Sequence, residues 1–322
     1  MRKNYFLITI DTEGDNFWQW DEKTPITTNN ALFLSRFQML CNEYGFKPTY
    51  LVNYEMAKSN VFIKFANLSL REGLCEIGMH LHAWNTDPYY KLDLRNDVDS
   101  HGLPYITEYP TEIIEKKVET MTTLIEKTFG VKPVSHRAGR WATNADYARI
   151  LEKHGYKYDC SFTPGVSWQS CLGYSNYSFG NSYLRSKNRI SHFYDTTILE
   201  IPLQGYKNKR LKTENIYSVK SFFKNLWYSL KRKQVINFRP NGKNIYDLLY
   251  MIKKNYKSKQ NYLMFMLHSS EFMPGGSPTF KTSEDIDLLF KDLKIIFDEL
   301  KKRNYIGLTI KQYGELLGGG DK

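Results

Sequence analysis

Near its start the 322-residue chain reads Leu7-Ile8-Thr9-Ile10-Asp11-Thr12-Glu13-Gly14-Asp15. The apolar residues predict a buried strand over Tyr5 to Ile10, and a polar loop follows that strand. The carboxylates of Asp11, Glu13 and Asp15 therefore stand within five residues at a strand end. Carboxylates this close repel one another unless a cation or a proton relieves the repulsion. The stretch predicts either a metal site or a solvated acidic turn.

Outward from this stretch, short apolar runs alternate with helical patterns. Further strands are predicted at 49–53, 76–82, 133–137, 156–161, 262–268 and 306–310, and helices at 31–44, 111–129, 144–154 and 283–303. This order of strands and helices favours a parallel sheet, and the number of units predicts a closed or nearly closed (β/α) barrel. In such a barrel the functional residues lie at the carboxyl ends of the strands.

Residues 1–322 are predicted to form a single domain. The strand–helix order breaks at about 168–259, a region rich in basic and aromatic residues. We interpret it as an insertion over the mouth of the barrel.

Two histidines end the predicted third strand, in the run Glu76-Ile77-Gly78-Met79-His80-Leu81-His82. Because His80 and His82 are two residues apart, both imidazoles project from one face of an extended strand. Such a pair, with a carboxylate from another strand end, binds Zn²⁺ or a similar ion and leaves positions open for water and substrate. The alternative is that one histidine is a hydrogen-bonded core residue.

Three more polar segments follow strands. Ser135-His136-Arg137-Ala138-Gly139-Arg140-Trp141 contains an arginine suited to holding a carboxylate or a substrate oxygen, although a surface arginine pair is the alternative. Asp159 ends the next strand, where it would pair with Arg137. His268 ends the apolar strand Leu263 to Leu267, where it is suited to protonating a leaving group.

In chain order, these five segments resemble the five motifs of the polysaccharide deacetylase (NodB-homology) family. That family has an opening Asp pair, a His pair, an Arg motif, an Asp motif and a closing Leu-His. The segments Gly78-Met79-His80-Leu81-His82 and His268-Ser269-Ser270, the latter followed by Pro274-Gly275-Gly276-Ser277-Pro278, resemble the subgroup of the lipopolysaccharide-biosynthesis protein WalW. The resemblance spans roughly Phe6 to His268 and implies a distorted (β/α) barrel of seven strands.

The resemblance also implies a metal site, with two departures from the family pattern. The family's second Asp is replaced here by Thr12, so Glu13 or Asp15 would supply the carboxylate ligand. The family's second histidine is usually four residues after the first, where this chain has Trp84, so His82 would replace it. The implied ligands are Glu13, His80 and His82, and the implied cofactor is a divalent metal ion, Zn²⁺.

The remaining roles follow from the same resemblance. Asp11 would act as the base, His268 as the acid, and Arg137 and Asp159 would hold these two in position. Trp84 and Trp141 would lie beside the groove and stack on a sugar ring, with the barrel core as their alternative place, and Arg140 would bind substrate as well. The predicted catalytic residues are therefore Asp11, His268, Arg137 and Asp159, and the predicted substrate-binding residues are Trp84, Trp141 and Arg140.

Charge and composition limit the partners. The net charge of +11 favours an anionic partner. The chain has no recognised nucleic-acid-binding motif, so we predict that it does not bind nucleic acid. No protein partner is predicted. Basic residues concentrate in Lys207-Asn208-Lys209-Arg210 and Lys231-Arg232-Lys233. The segment 222–233 mixes aromatic and cationic residues, which is typical of a helix lying on an anionic membrane or of a lid helix.

The predicted location is the cytoplasm, with possible contact at the inner face of the membrane. The first ten residues run directly into a strand and lack the features of a signal peptide, and no apolar run is long enough to span a bilayer. Four scattered cysteines indicate reduced thiols.

The predicted function is therefore metal-dependent removal of N-acetyl or O-acetyl groups from a sugar intermediate in surface polysaccharide or lipopolysaccharide biosynthesis. Two alternatives stay open: a non-catalytic glycan-binding protein whose deacetylase site has lapsed, and a hydrolase of another amide or ester.

Overall fold

The structure is a computed structural model that describes residues 3–19, 24–90, 103–175, 178–207, 217–231 and 235–318. Its main feature is a curled sheet of nine strands with helices around it. The strands of this sheet are β1 (Asn4–Thr12), β2 (Pro48–Val52), β3 (Glu76–Leu81), β4 (Ser135–Ala138), β5 (Tyr158–Asp159), β6 (Ser191–His192), β7 (Leu199–Glu200), β10 (Tyr262–His268) and β11 (Tyr305–Leu308). A separate two-stranded antiparallel sheet pairs β8 (Gly205–Lys207) with β9 (Val235–Asn237).

The strand order is β10-β1-β2-β3-β4-β5-β7-β6, and β11 pairs with the beginning of β1. All pairs in this sheet are parallel except β6 with β7. On the far side, the side chain of Gln204 bridges the gap to β10, because its amide nitrogen donates to the carbonyl of Tyr262 and its oxygen accepts from the amide of Met264. The predicted (β/α) barrel is confirmed.

Eight helices are described. They are α1 (Leu34–Glu43), α2 (Asn60–Arg71), α3 (Thr111–Phe129), α4 (Ala145–Lys153), α5 (Val219–Lys231), α6 (Ile245–Tyr256), α7 (Ser283–Lys302) and α8 (Ile310–Gly318). Local sequence explains several of their ends: the Asn144 side chain accepts from the amide of Tyr147 at the start of α4, and Gly130 ends α3 in the left-handed conformation. Within the described ranges, no helix combines the length and the apolar character needed to cross a bilayer.

The core explains why β1 is apolar at successive positions. Phe6, Ile8 and Ile10 face one apolar cluster, and Leu7 belongs to a second cluster on the other face of the sheet. A parallel strand that is covered on both faces is apolar at successive positions instead of alternating, as this one is. Apart from Asn4 at its start and Thr9, its polar residues lie at its carboxyl end, where the functional residues begin.

One sequence prediction about the fold needs correction. The sheet has nine strands rather than seven, because the region 168–259 contributes β6 and β7 to it. These strands are two residues long, too short for a hydrophobic pattern to reveal them. The single-domain assignment and the insertion remain predictions. The basic residues Lys209, Arg210, Arg232 and Lys233 lie outside the described residues.

Candidate active site

The carboxyl ends of four strands bring the predicted site residues together. The register places Asp11 of β1 beside His268 of β10, and His80 of β3 beside Arg137 of β4. Residues paired in register point to the same side of a sheet, so these four side chains converge. Glu13 follows β1 directly and is buried with them.

A possible metal-binding cluster consists of Glu13, His80 and His82. One potential ligand atom from each lies within 4.8 Å of the others. Oε2 of Glu13 lies 2.8 Å from Nε2 of His82 and 3.4 Å from Nε2 of His80. The loop that carries Glu13 is fixed because its carbonyl accepts from the Asn30 amide at 2.8 Å and from the Ser269 hydroxyl at 3.1 Å.

The donor atoms of this cluster fit a divalent ion. The carbonyl of Arg137 lies 2.9 Å from Nδ1 of His80. Because a carbonyl can only accept, Nδ1 carries a proton, and the lone pair on Nε2 faces Glu13. Nδ1 of His82 is buried and has no hydrogen-bond partner among the residues that the structure describes. Two imidazoles and one carboxylate are the ligand set of many catalytic zinc sites.

The electrostatics of the cluster favour the carboxylate form of Glu13. Burial alone would raise the pKa of the Glu13 carboxyl, but His268, His80 and His82 outweigh burial and hold this pKa well below its usual range. Burial also lowers the pKa of His82, more than Glu13 raises it, which favours the neutral imidazole. An ionised carboxylate and a neutral imidazole are the forms that bind a metal ion.

His80 differs from His82, because its pKa is raised. Burial lowers this pKa, but the nearby carboxylates of Asp11 and Glu13 raise it by more. The carboxylates therefore favour protonation of His80 in the metal-free site, and a metal ion competes with that proton for Nε2.

Asp11 is held by a buried arginine. Nη1 of Arg137 donates to Oδ1 of Asp11 at 2.5 Å. Oδ2, the other oxygen, lies 4.0 Å from Nε2 of His80 and 4.0 Å from Nε2 of His268. Burial would raise the pKa of Asp11, but Arg137 and the two histidines lower it below its ordinary value. The result is an ionised carboxylate that faces the centre of the site.

Arg137 is itself fixed on every side. Its Nε donates to the carbonyl of Cys160 at 3.0 Å, and its Nη2 donates to Oγ1 of Thr9 at 2.8 Å. The guanidinium is fully buried, and its central carbon lies 5.1 Å from the centre of the Trp141 ring. An arginine with all its directions occupied orients Asp11 rigidly.

His268 is held from its Nδ1 side. Nη2 of Arg239 lies 3.0 Å from Nδ1 of His268 and 3.0 Å from Oε2 of Glu271, and Oε2 also accepts from the His268 backbone amide at 2.8 Å. Nδ1 of His268 also lies 3.2 Å from Oε2 of Glu271, so its two neighbours favour opposite tautomers. If Nδ1 accepts from Arg239, the ring proton lies on Nε2, and if Nδ1 donates to Glu271, the proton lies on Nδ1. That Nε2 lies 3.7 Å from Oε1 of Glu13. In the tautomer set by Arg239, His268 presents a proton to the centre of the site.

The contacts predicted for Asp159 are wrong. Its carboxylate pairs with Nδ1 of His136 and accepts from the amide and the hydroxyl of Ser161, and it contacts Glu200 rather than His268 or Arg137. Register explains this, because His136, Asp159 and Glu200 lie beside one another on β4, β5 and β7. They therefore point to the face opposite Arg137.

The buried pair of Asp159 and Glu200 shares one negative charge. Burial would raise the pKa of Asp159, but His136 lowers it, while burial and the neighbouring Asp159 hold the pKa of Glu200 well above its usual range. Glu200 is thus held in its protonated form, and its Oε1 accepts from the amide of Phe162 at 3.0 Å. This cluster stabilises the wall behind the site and does not reach the reacting atoms.

The predicted substrate-binding residues surround the site at different depths. Trp84 is half-buried, with its ring centre 5.8 Å from that of His82. Trp141 is half-buried and stacks on Trp168 with 6.2 Å between ring centres. Arg140 is exposed, and both Arg140 and Trp141 have positive φ, 53° and 59°. Strained backbone of this kind is common at functional sites.

Asp15, the alternative carboxylate, faces away from the histidines. Its Oδ1 accepts from the hydroxyl of Thr27, and its Oδ2 accepts from the amide of Asn30 at 3.2 Å. These contacts hold the loop after β1 in place, and the cluster of possible ligands includes Glu13.

Sequence reasoning missed three residues that contact His268. Trp18 lies with its ring centre 5.0 Å from that of His268, and its indole donates to the Ser270 hydroxyl at 3.1 Å. Glu271 had a local signal, because it follows the histidine by three residues and forms a capping box with it. Arg239 had none, because it lies 29 residues before His268 in an irregular segment.

A second carboxylate lies behind the site and gives a stability prediction. Oε2 of Glu55 accepts from the side-chain amides of Asn53 at 2.8 Å and Asn85 at 2.7 Å. Burial raises the pKa of Glu55 from 4.5 to about 8, with Glu13 adding to the shift. The folded protein therefore binds this proton more tightly than the unfolded chain, and ionisation favours unfolding as the pH rises from about 4.5 to about 8.

We therefore expect Glu55→Gln to remove part of the loss of stability over this pH range, at most about 5 kcal/mol. The measurement is urea unfolding of metal-free wild type and variant at several pH values. Glu72→Gln, on the exposed end of α2, is the matched control and should unfold as wild type does. Parallel curves for wild type and Glu55→Gln would contradict the prediction.

Comparisons with known proteins extend the fold assignment. Models of known families give no match, and neither do curated protein sequences. A candidate polysaccharide deacetylase from Mycobacterium smegmatis is similar in structure, with a TM-score of 0.55 at 12% identity over 98% of this chain and 91% of that chain. A family 4 acetyl xylan esterase from Clostridium thermocellum, in complex with a cobalt ion, has a TM-score of 0.44 at 12% identity, over 98% and 92% of the two chains. The similarity to the mycobacterial protein shows that the two share a fold.

Proposed function

We propose that the protein is a metal-dependent hydrolase that removes acetyl groups from an acylated sugar. The proposal is carried by one observation: the Glu13, His80 and His82 cluster lies beside the buried pair of Asp11 and Arg137. A carboxylate base next to three potential metal ligands is an arrangement suited to hydrolysis. The fold shared with a candidate polysaccharide deacetylase supports a carbohydrate substrate.

The chain's own residues divide the work as follows. Glu13, His80 and His82 would hold Zn²⁺, which when bound polarises an acyl carbonyl and makes a ligated water easier to deprotonate. Asp11, kept ionised and oriented by Arg137, takes a proton from the water that attacks the acetyl carbon. His268 gives the proton on Nε2 to the leaving nitrogen or oxygen as its bond to the acetyl carbon breaks.

The substrate is proposed from the surroundings of this site. Trp84, Trp141 and Arg140 would bind the sugar, because sugar rings stack on the faces of tryptophan rings and an arginine donates to sugar oxygens. We propose an N-acetylated or O-acetylated intermediate of surface polysaccharide or lipopolysaccharide biosynthesis, as in the WalW-like subgroup. The reaction would take place in the cytoplasm.

Metal removal tests the proposal. Protein treated with a chelator should lose its release of acetate from a panel of N-acetylated and O-acetylated sugars, and added Zn²⁺ should restore it, with one equivalent bound. Circular dichroism of the treated protein serves as the control for folding.

The contrary results are equally specific. Acetate release that survives complete metal removal would contradict the metal-dependent mechanism. Binding of a glycan with no acetate release, in protein that contains metal, would favour the non-catalytic glycan-binding alternative.

A further inference from the structure

One helix of the protein carries its apolar residues on the surface. At 100° per residue, the apolar residues of α5 fall within about 140° of its circumference. Among the residues whose side chains the structure describes, they are Val219, Phe222, Phe223, Leu226 and Trp227. A helix that packs on a core buries such a face, so the exposure of this face decides how it is used.

The apolar face of α5 is largely exposed. Val219 is 75% exposed, Phe223 62% and Trp227 52%, and Tyr217 just before the helix is 84% exposed. Large apolar side chains grouped on one exposed helix mark a surface that binds a membrane or another protein.

The charge around this face is uniformly positive. Lys220 and Lys224 are exposed at one border of the apolar face, and residues 217–231 contain no Asp or Glu. Over residues 207–233 the sequence has nine Lys or Arg and one acid, Glu214. A helix with exposed aromatic residues bordered by lysines is complementary to an anionic lipid surface, because the rings enter the headgroup region while the lysines reach the phosphates.

The helix also lies close in the chain to the candidate active site. Three residues lie between Lys231 at the end of α5 and Val235 at the start of β9, and the four residue steps limit the distance between them to about 14 Å. β9 leads to Arg239, the residue that holds His268. A lipid surface that binds α5 is therefore brought near the mouth of the candidate active site.

We propose that α5 lies in the interface of an anionic bilayer, with Phe223 and Trp227 inserted, and presents the site to an acetylated sugar carried on a lipid. The substrate part of this inference rests on the proposed deacetylase function, whereas the docking of α5 does not. If this bilayer is the inner membrane seen from the cytoplasm, the protein lies at the inner membrane face.

Vesicle sedimentation of the full chain tests the docking. Wild type should sediment with vesicles of phosphatidylcholine mixed with phosphatidylglycerol and remain in solution with phosphatidylcholine alone, and salt should weaken the binding. Phe223→Glu/Trp227→Glu should abolish sedimentation. Lys220→Ser/Lys224→Ser should weaken it by about 30-fold, since each lysine near a charged surface contributes about 1 kcal/mol.

Matched controls separate the possible outcomes. Val61→Glu/Leu68→Glu changes two exposed apolar residues of α2 and should leave vesicle binding unchanged. No sedimentation of folded wild type at low salt, or equal sedimentation of the Phe223/Trp227 variant, overturns the proposal, as does self-association through α5 without vesicle binding. Acetate release from a water-soluble acetylated sugar tests the proposed function separately, and the Phe223/Trp227 variant should retain that release.

Discussion

Replacing Asp11 with Asn is expected to lower kcat for acetate release by about 10²–10⁴-fold, the usual contribution of a general base. The side chain keeps its shape, so Arg137 can still contact Oδ1, but an amide cannot take a proton from water. Metal content should stay near that of wild type, because the proposed ligands Glu13, His80 and His82 are unchanged. The measurement combines steady-state kinetics with elemental analysis of the same preparation.

Two variants make this prediction specific. Glu13→Gln removes the proposed carboxylate ligand and should lose both metal and activity. Asp15→Asn alters the carboxylate that contacts Thr27 and Asn30, so it should retain both. If Asp11→Asn keeps full activity, Asp11 is not the base, and if Asp15→Asn loses the metal, the ligand set is wrong.

Much of the site was predictable because parallel strands align their carboxyl ends. Asp11, His80, Arg137 and His268 follow apolar runs that are far apart in the chain, yet each run ends at the same edge of the sheet. The two-residue period of a strand also predicted that His80 and His82 share a side. Their ring centres lie 4.7 Å apart in the structure.

Position along a strand does not reveal which face a residue occupies. Asp159 ends its strand as Arg137 ends the one beside it, but the register pairs Asp159 with His136. A shift of one residue moves a side chain to the opposite face of the sheet. Register depends on packing across the whole sheet, and the sequence of one strand does not contain it.

The residues around His268 were unpredictable for a different reason. Trp18 lies in a three-residue 3-10 helix and Arg239 in an irregular segment, and neither offers a sequence period that would place a side chain. Their contacts with His268 join positions 250 and 29 residues apart, and tertiary packing alone brings them together.

Replacing Arg137 with Met is expected to destabilise the protein by about 3–5 kcal/mol at neutral pH, because it leaves the Asp11 carboxylate buried without its partner. Arg137 lowers the pKa of Asp11, so this pair contributes stability that is present above the ordinary pKa of 3.8 and is lost as the pH falls. In the variant Asp11 can be relieved by a proton, so the deficit relative to wild type should shrink as the pH falls towards 4. Urea unfolding across this pH range measures the effect.

Removing the charge as well should rescue the variant. Asp11→Asn/Arg137→Met contains no unpaired buried carboxylate, so we expect it to be more stable at neutral pH than Arg137→Met alone, although neither should release acetate. Arg149→Met is the matched control: Arg149 also pairs with two carboxylates, Asp146 and Asp195, but all three side chains are exposed, so its loss should cost far less. Equal losses for Arg137 and Arg149 would show that burial of the pair with Asp11 does not govern its energetics, and a double variant no more stable than Arg137→Met would show that Arg137 acts through packing rather than through the charge of Asp11.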